Sequence, residues 1–314
     1  MKNRKLLAAF IVFFMTVALF VPSVAEAYGY RRTYAPRLGE ARQNEEFIRW
    51  QNQQNYGNYG VASADGDDYE GLVPEPAKIY FGRPRAQRFE RLGFPATYDL
   101  RDYNKVSEIR DQGPNGSCWA FATYGSMESI LLRQKKGKFD FSEKHLRNMH
   151  GFDWSAEKGG NRDMAAAYLA SGKGPIAEDD DPYDPVITVS PKGLRRQLDM
   201  DKVIYLPDVT NINEVDNLKW AISEYGGVYT TINSSSYYEN KKTFTMYNPG
   251  RGTANHAVTI VGWDDTYPST AFTQRAPGNG AWICKNSWGS KYMDSGYYYV
   301  SYYDAFVGKK QCYL

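Results

Sequence analysis

Residues 112–121 read Gln-Gly-Pro-Asn-Gly-Ser-Cys-Trp-Ala-Phe, and this stretch decides the fold. A run of turn-forming residues ends at Cys118, where apolar residues begin to recur at helical spacing. The pattern predicts a helix over Cys118–Gln134 with Ser117 as its N-cap. A cysteine in the first turn of a helix faces unpaired backbone N–H groups and the positive end of the helix dipole. Both favour the thiolate, so we expect Cys118 to be an activated nucleophile.

Two later stretches supply partners for such a nucleophile. His256 opens one apolar run and Asn286 follows another, and each run predicts a buried strand. A cysteine nucleophile, a histidine base and an asparagine that orients the imidazole form one variant of the catalytic triad. The histidine and the asparagine follow Cys118 by about 140 and about 170 residues. In known enzymes with this triad, both residues follow the cysteine by roughly 130–150 residues. The later asparagine is explained by a polar insert, Asp264–Gly280, which predicts a surface loop.

Together these motifs resemble those of the papain-like cysteine peptidases. Four of them occur in the family's order: Tyr98-Asp99-Leu100-Arg101, residues 112–121, the His256 strand and Asn286-Ser287-Trp288-Gly289. The resemblance covers Phe94 to Tyr303. It implies an α+β fold with a helical N-terminal lobe, a β-barrel-like C-terminal lobe and an active-site cleft between them.

The predicted elements are ordered as that fold requires. Helices are predicted over Cys118–Gln134, Ser142–Asn148, Arg162–Ser171, Lys192–Leu198 and Val215–Tyr225, and strands over Val203–Leu206, Gly227–Ile232, His256–Trp263, Ala281–Lys285 and Gly296–Tyr302. Helices therefore predominate in the first half of the domain and strands in the second. Ser142 and Asn161 are the predicted caps of two helices, and His145 is expected at the surface.

The resemblance implies a role for each catalytic residue. Cys118 attacks, His256 serves as general base and then as general acid, and Asn286 orients the imidazole. Gln112 directs its amide N–H at the developing oxyanion, beside the backbone N–H of Cys118. Trp288 shields the histidine–asparagine hydrogen bond from water.

The resemblance also implies five substrate-binding residues besides Trp288. Gly159 and Gly160 bind the substrate backbone, where no side chain blocks its approach. Asn161, Arg162 and Ala257 border the main specificity pocket. An arginine there favours acidic or polar substrate side chains, and the alternative is that Arg162 points to solvent.

One feature of the family pattern is missing from this chain. The two positions that form a disulfide beside the cleft hold Asn115 and Glu157. Neither half of that disulfide takes part in the chemistry, so the catalytic interpretation is unaffected, and packing has to hold the cleft wall.

Composition limits the remaining function classes. The chain has 314 residues, 42% hydrophobic residues and a formal net charge of +2, so it lacks the basic surface of a nucleic-acid-binding protein. The acidic run Glu178–Asp184 lacks the spacing of a calcium loop, and we expect neither a metal nor a cofactor. Besides Cys118 the chain has Cys284 and Cys312. These two form a disulfide or, as we favour, Cys284 is a buried free thiol.

The N-terminal region predicts export and processing. Residues 1–27 have a basic start, an apolar run and an Ala25-Glu26-Ala27 cleavage site, which is typical of a secretory signal peptide, with an uncleaved membrane anchor as the alternative. Residues 28–94, here called the leader, stand where the family has an inhibitory prosegment. The leader contains a predicted helix over Glu40–Gln54 and a basic stretch, Lys78–Arg91; a flexible spacer is the alternative. Residues 95–314 form the predicted peptidase domain.

These observations predict a secreted cysteine endopeptidase that hydrolyses proteins or peptides through an acyl-enzyme thioester. It would bind neither nucleic acid nor, once the signal peptide is removed, a membrane. A transpeptidase or an exopeptidase could use the same residues. A catalytically silent binding module is the alternative from another class, and the intact set of Cys118, His256, Asn286 and Gln112 argues against it.

Overall fold

The computed structural model describes residues 44–55, 71–76, 93–309 and 312–313. The predicted signal peptide and the basic stretch Lys78–Arg91 lie outside these residues. No helix in the described part of the chain is long and apolar enough to cross a membrane.

Five α-helices occur among the described residues. They are α1 (Glu45–Asn55), α2 (Cys118–Arg133), α3 (Glu143–Met149), α4 (Arg162–Ala170) and α5 (Val215–Tyr225). The central helix is α2, in which every residue from Cys118 to Ser129 is buried. A helix that is covered on all sides has to lie inside the protein, and α2 lies between the helical lobe and the sheet.

The described strands form one nine-stranded sheet with an open path. They are β1 (Thr97–Asp99), β2 (Ile204–Tyr205), β3 (Val228–Ile232), β4 (Glu239–Asn240), β5 (Thr245–Met246), β6 (His256–Asp264), β7 (Ala281–Lys285), β8 (Tyr297–Ser301) and β9 (Cys312–Tyr313). Along the path the order is β2-β9-β3-β6-β7-β8-β5-β4, and β1 also pairs with β6. Among the described strands, only β5 and β8 pair in parallel. The longest strand, β6, lies at the centre and begins at the predicted catalytic histidine.

Helix α2 lies unusually close to the sheet. A Cβ atom on Gly125 would lie 2.7 Å from the Thr259 hydroxyl oxygen, so this position needs glycine. The Thr259 hydroxyl donates to the carbonyl of Ala122, and the Ser126 hydroxyl donates to the carbonyl of Gly227. These buried hydrogen bonds fix the position of α2, and therefore of its first residue Cys118, relative to β6.

The predicted α+β architecture with a helical lobe and a sheet lobe is confirmed. Ser142 and Asn161 cap α3 and α4 as expected, since their side chains accept from the N–H groups of His145 and Met164. Ser117 precedes α2 but does not cap it, because its hydroxyl is hydrogen-bonded to the Tyr183 hydroxyl at 2.7 Å.

The helix predicted over Lys192–Leu198 is wrong. Gly193 has a φ of +75°, and the Gln197 N–H donates to the carbonyl of Pro175, so the backbone is bonded to another segment. His145 is also not at the surface. It is buried, and its Nδ1 lies 2.7 Å from the Tyr168 hydroxyl.

Apart from Asp264, which ends β6, the insert Asp264–Gly280 is a loop, as predicted, but it is not wholly at the surface. Phe272 and Ala276 are buried and pack with Tyr247 and Ala281 in a small separate core. The four strands that the prediction lacks, β1, β4, β5 and β9, have two or three residues each, too few for an alternating pattern to be recognised.

Candidate active site

Cys118 is the first residue of α2 and is fully buried. The preceding turn is closed by a 2.8 Å hydrogen bond from the Ser117 N–H to the carbonyl of Asn115. Cys118 shares its buried cluster with Ala257, the second residue of β6. The start of α2 and the start of β6 therefore belong to the same part of the core.

A short hydrogen bond joins the next two predicted catalytic residues. His256 Nε2 lies 2.7 Å from Asn286 Oδ1. The antiparallel pairing of β6 and β7 aligns Thr259 with Lys285, so the residues at 256 and 286 project from the same face of the sheet. An amide oxygen only accepts hydrogen bonds, so Nε2 carries the proton and Nδ1 has its lone pair available. Nδ1 is buried and has no hydrogen-bond partner among the described residues.

The indole of Trp288 covers this pair. Its ring centroid lies 4.5 Å from that of the His256 imidazole, with 30° between the ring planes. His256 is fully buried, and burial lowers the pKa of its imidazole to about 4, against the opposing effect of the hydrogen bond to Asn286. At neutral pH the imidazole is therefore uncharged and can accept a proton.

Gln112 is held by the residue that follows Asn286. The Gln112 N–H donates to the carbonyl of Ser287 at 2.8 Å, and the Ser287 hydroxyl donates to Gln112 Oε1 at 2.7 Å. Gln112 Nε2 then donates to the carbonyl of Asn115, in the turn before Cys118. The sequence pattern does not predict this role of Ser287, although its position next to Asn286 could have indicated one.

One of the two predicted substrate-binding glycines, Gly160, is already bonded to another part of the chain. Residues Gly71–Pro76, here called the cleft segment, form a parallel bridge with Gly160. The Gly160 N–H donates to the carbonyl of Gly71, and the Val73 N–H donates to the carbonyl of Gly160, both at 2.9 Å. The side-chain amide of Asn161 donates to the carbonyl of Val73. Gly159, at a φ of +73°, ends the short turn that presents Gly160.

The cleft segment also contacts the sheet lobe. The Leu72 N–H donates to the carbonyl of Asn255, which immediately precedes His256. A Cβ atom on Gly71 would lie 2.2 Å from the Cα of Gly116, two residues before Cys118. The segment therefore runs between the two lobes at the position of the predicted catalytic residues.

Arg162 is buried and does not point to solvent. Its Nε lies 3.5 Å from Oε1 of Glu75 in the cleft segment and 3.6 Å from Oδ1 of its neighbour Asp163. The solvent-facing alternative for this arginine is therefore wrong.

Buried charges lie behind the site, between the two lobes. Glu128, Glu143 and Lys285 are buried, and they line a small cavity that also reaches Asn286 and Ser287. Burial raises the pKa of both glutamates and lowers the pKa of the Lys285 ammonium group. The sequence pattern did not predict this cluster, because charged residues are rarely fully buried.

The second cysteine and the acidic run that the sequence also singles out have structural roles. Cys284 is buried and forms no disulfide, as expected. In the acidic run, Asp181 is buried and pairs with Lys144 at 2.7 Å. The described residues contain no group of three or more side chains that could hold a metal ion.

Comparison with known proteins identifies the family. The sequence profile of the papain family cysteine proteases matches residues 94–313. The chain belongs to this family. Among curated relatives, pro-cathepsin H of Mus musculus is 29% identical over 233 residues, covering 70% of this chain and 62% of the relative. Ananain of Ananas comosus is 26% identical over 205 residues, covering 65% and 54%. The chain thus spans less than two-thirds of the length of these papain-family relatives.

Solved structures show the same fold. The cysteine protease and lectin-like domains of a surface-layer-associated protein of Clostridium difficile match with a TM-score of 0.71 at 25% identity, over 88% of this chain and 60% of that one. Bromelain of Ananas comosus, solved with a bound inhibitor, matches with a TM-score of 0.55 at 24% identity, over 70% of this chain and 98% of that one. The predicted papain-like two-lobe fold is therefore confirmed.

The burial of His256 predicts an unusual titration. In the full chain we expect the ring signals of His256 to stay constant from pH 8 down to about 5.5, because burial holds its pKa far below the ordinary value of about 6.5. The measurement is an NMR titration of the three histidines of the chain. The spectrum of a His256→Gln variant assigns the signal. A midpoint above about 6 in the full chain would contradict the burial argument.

Proposed function

We propose that the chain is a cysteine peptidase in which Cys118, His256 and Asn286 form the catalytic triad. The observation that carries this proposal is the 2.7 Å hydrogen bond from His256 Nε2 to Asn286 Oδ1. It fixes the tautomer that leaves Nδ1 as the proton acceptor, and Nδ1 has no other hydrogen-bond partner among the described residues. A cysteine at the N-terminus of a helix is the matching nucleophile.

The reaction follows from these roles. His256 Nδ1 takes the proton of the Cys118 thiol, and the sulfur attacks the peptide carbonyl carbon. The negative charge on the carbonyl oxygen is stabilised by N–H groups of Gln112 and of the Cys118 backbone. The imidazolium then donates its proton to the departing amine, which leaves a thioester on Cys118. Water, deprotonated by His256, hydrolyses the thioester and restores the thiol.

In this proposal the leader inhibits the enzyme. The cleft segment is hydrogen-bonded to the N–H and the carbonyl of Gly160 and to the carbonyl of Asn255. A substrate backbone therefore has no access to these groups while the segment is in place. Two relatives support the assignment: one is named as the pro-form of a cathepsin, and a clostridial structure at 28% identity and a TM-score of 0.63 is described as following propeptide cleavage. Export through the signal peptide 1–27 is part of the proposal and rests on the sequence alone.

Replacing the nucleophile tests the proposal. Cys118→Ala should lower peptide hydrolysis by roughly 1,000-fold or more, because the reaction loses its covalent step. Cys284→Ala is the matched control, since it removes a buried thiol outside the proposed triad. Hydrolysis is measured on a fluorogenic peptide with the leader removed, and circular dichroism checks the fold. Activity retained in the Cys118 variant, or equal losses in both, would rule out this nucleophile.

The proposed oxyanion donor has its own kinetic signature. Gln112→Ala should lower kcat by roughly 10- to 1,000-fold with little change in KM, because its N–H acts in the transition state. Ser287→Ala should cause a smaller loss, since it removes only the hydroxyl that orients the Gln112 amide. Steady-state kinetics separates the two constants. If Gln112→Ala changes KM alone, the glutamine binds substrate and is not an oxyanion donor.

The inhibitory role of the leader can be tested without cleaving it. Gly71→Ala adds a Cβ at a φ of +96° and at 2.2 Å from the Gly116 backbone, so we expect the cleft segment to leave its place. The uncleaved variant should react faster than the wild type with a thiol-directed active-site probe. Gly193→Ala is the control, because it also has a positive φ, of +75°, but no atom lies within 4 Å of its Cβ position. Unchanged labelling of the Gly71 variant would favour the spacer alternative.

A further inference from the structure

A carboxylate from the leader occupies a buried position beside the cleft. Glu75, in the cleft segment, is 4% exposed, and Arg162, at the start of α4, is 6% exposed. Oε1 of Glu75 lies 3.5 Å from Nε of Arg162. A carboxylate is removed from water at such a cost that it is rarely buried without a cation, so the burial of Glu75 depends on the positive charge of Arg162.

Hydrogen bonds on both sides of Glu75 fix the backbone of the leader in this position. The bridge to Gly160 fixes residues 71–73, and the side-chain amide of Asn44 donates to the carbonyl of Glu75 at 3.0 Å. The Asn44 N–H donates to the carbonyl of Pro76. The chain on both sides of Glu75 is thus anchored, and its carboxylate is directed at the guanidinium.

The arginine is also held by two residues outside the leader, one from each lobe. Its guanidinium carbon lies 5.1 Å from the centre of the Tyr205 ring, and Nε lies 3.6 Å from Oδ1 of Asp163. The Tyr205 hydroxyl in turn donates to Oδ1 of Asp163. None of these contacts involves the leader. A guanidinium has five N–H donors. The guanidinium of Arg162 can therefore contact Asp163 and still bind a second carboxylate.

We propose that Arg162 forms a subsite for an acidic side chain of the substrate, and that Glu75 fills this subsite while the leader is in place. When the leader departs, a glutamate or aspartate of a bound peptide takes the position of the Glu75 carboxylate. This inference rests on the proposed peptidase function, which it extends to the class of substrate.

Two assays test the subsite, one of binding and one of turnover. Both use the full chain after cleavage of the leader within its basic stretch. The first measures fluorescence anisotropy of a labelled peptide with the sequence of residues 71–76, in its native form and with Glu75→Gln. The second measures kcat/KM on a series of neutral, internally quenched peptides. In this series, each of the four positions before the cleaved bond carries Glu, Gln or Lys in turn. Wild type is compared with Arg162→Gln, and Lys158→Gln controls for the loss of a nearby positive charge.

The expected result is a preference for the acid in both assays. The native leader peptide should bind about tenfold tighter than its Gln form, and one substrate position should show a Glu-to-Gln ratio of similar size, since removing one charge of a buried ion pair costs at least this much. Arg162→Gln should bring both ratios close to one, and Lys158→Gln should leave them unchanged. Equal ratios in wild type and Arg162→Gln would overturn the inference. An acid preference confined to the leader peptide would also overturn it, because the position would then serve inhibition alone. If no peptide is cleaved at all, the peptidase proposal fails, and the anisotropy ratio by itself decides whether Arg162 binds an acidic ligand.

Discussion

The register between β6 and β7 is the constraint on which the proposed site depends. It aligns Thr259 with Lys285 and thereby brings His256 and Asn286 to one face of the sheet, where their side chains are 2.7 Å apart. A shift by one residue would direct one of the two side chains to the opposite face. Because the pairing fixes their distance, the long insert between the strands can fold on its own small core without disturbing the site.

In the described structure, residues of the leader cover part of the candidate active site. The cleft segment uses main-chain hydrogen bonds to Gly160 and Asn255, and Gly71 permits an approach to the Gly116 backbone that no other residue allows. With His256 fully buried, the pKa of its imidazole is lowered to about 4, so formation of the imidazolium is disfavoured. Under the proposed inhibition, departure of the leader frees Gly160 and the carbonyl of Asn255 to bind a substrate backbone.

Sequence reasoning reached the elements with strong local signals. The helices that begin at Cys118 and Arg162 have helical spacing, and the two buried strands around the insert are continuous apolar runs, so all four are predicted within a few residues. It failed where tertiary contacts decide the structure. Gly193 prevents the helix expected around it, and Tyr168 accounts for the burial of His145. The pairing of Glu75 with Arg162 joins residues far apart in the chain, and no periodic pattern encodes it.

The most direct test of the account is to capture the covalent intermediate. A peptide ester that acylates fast and deacylates slowly is mixed with the leader-free protein, and the reaction is quenched in acid and analysed by mass spectrometry. The account predicts an added mass equal to the acyl group on the fragment that contains Cys118, and none on the fragment that contains Cys284. Hydrolysis of the ester without any adduct, or with the adduct on another residue, would contradict it.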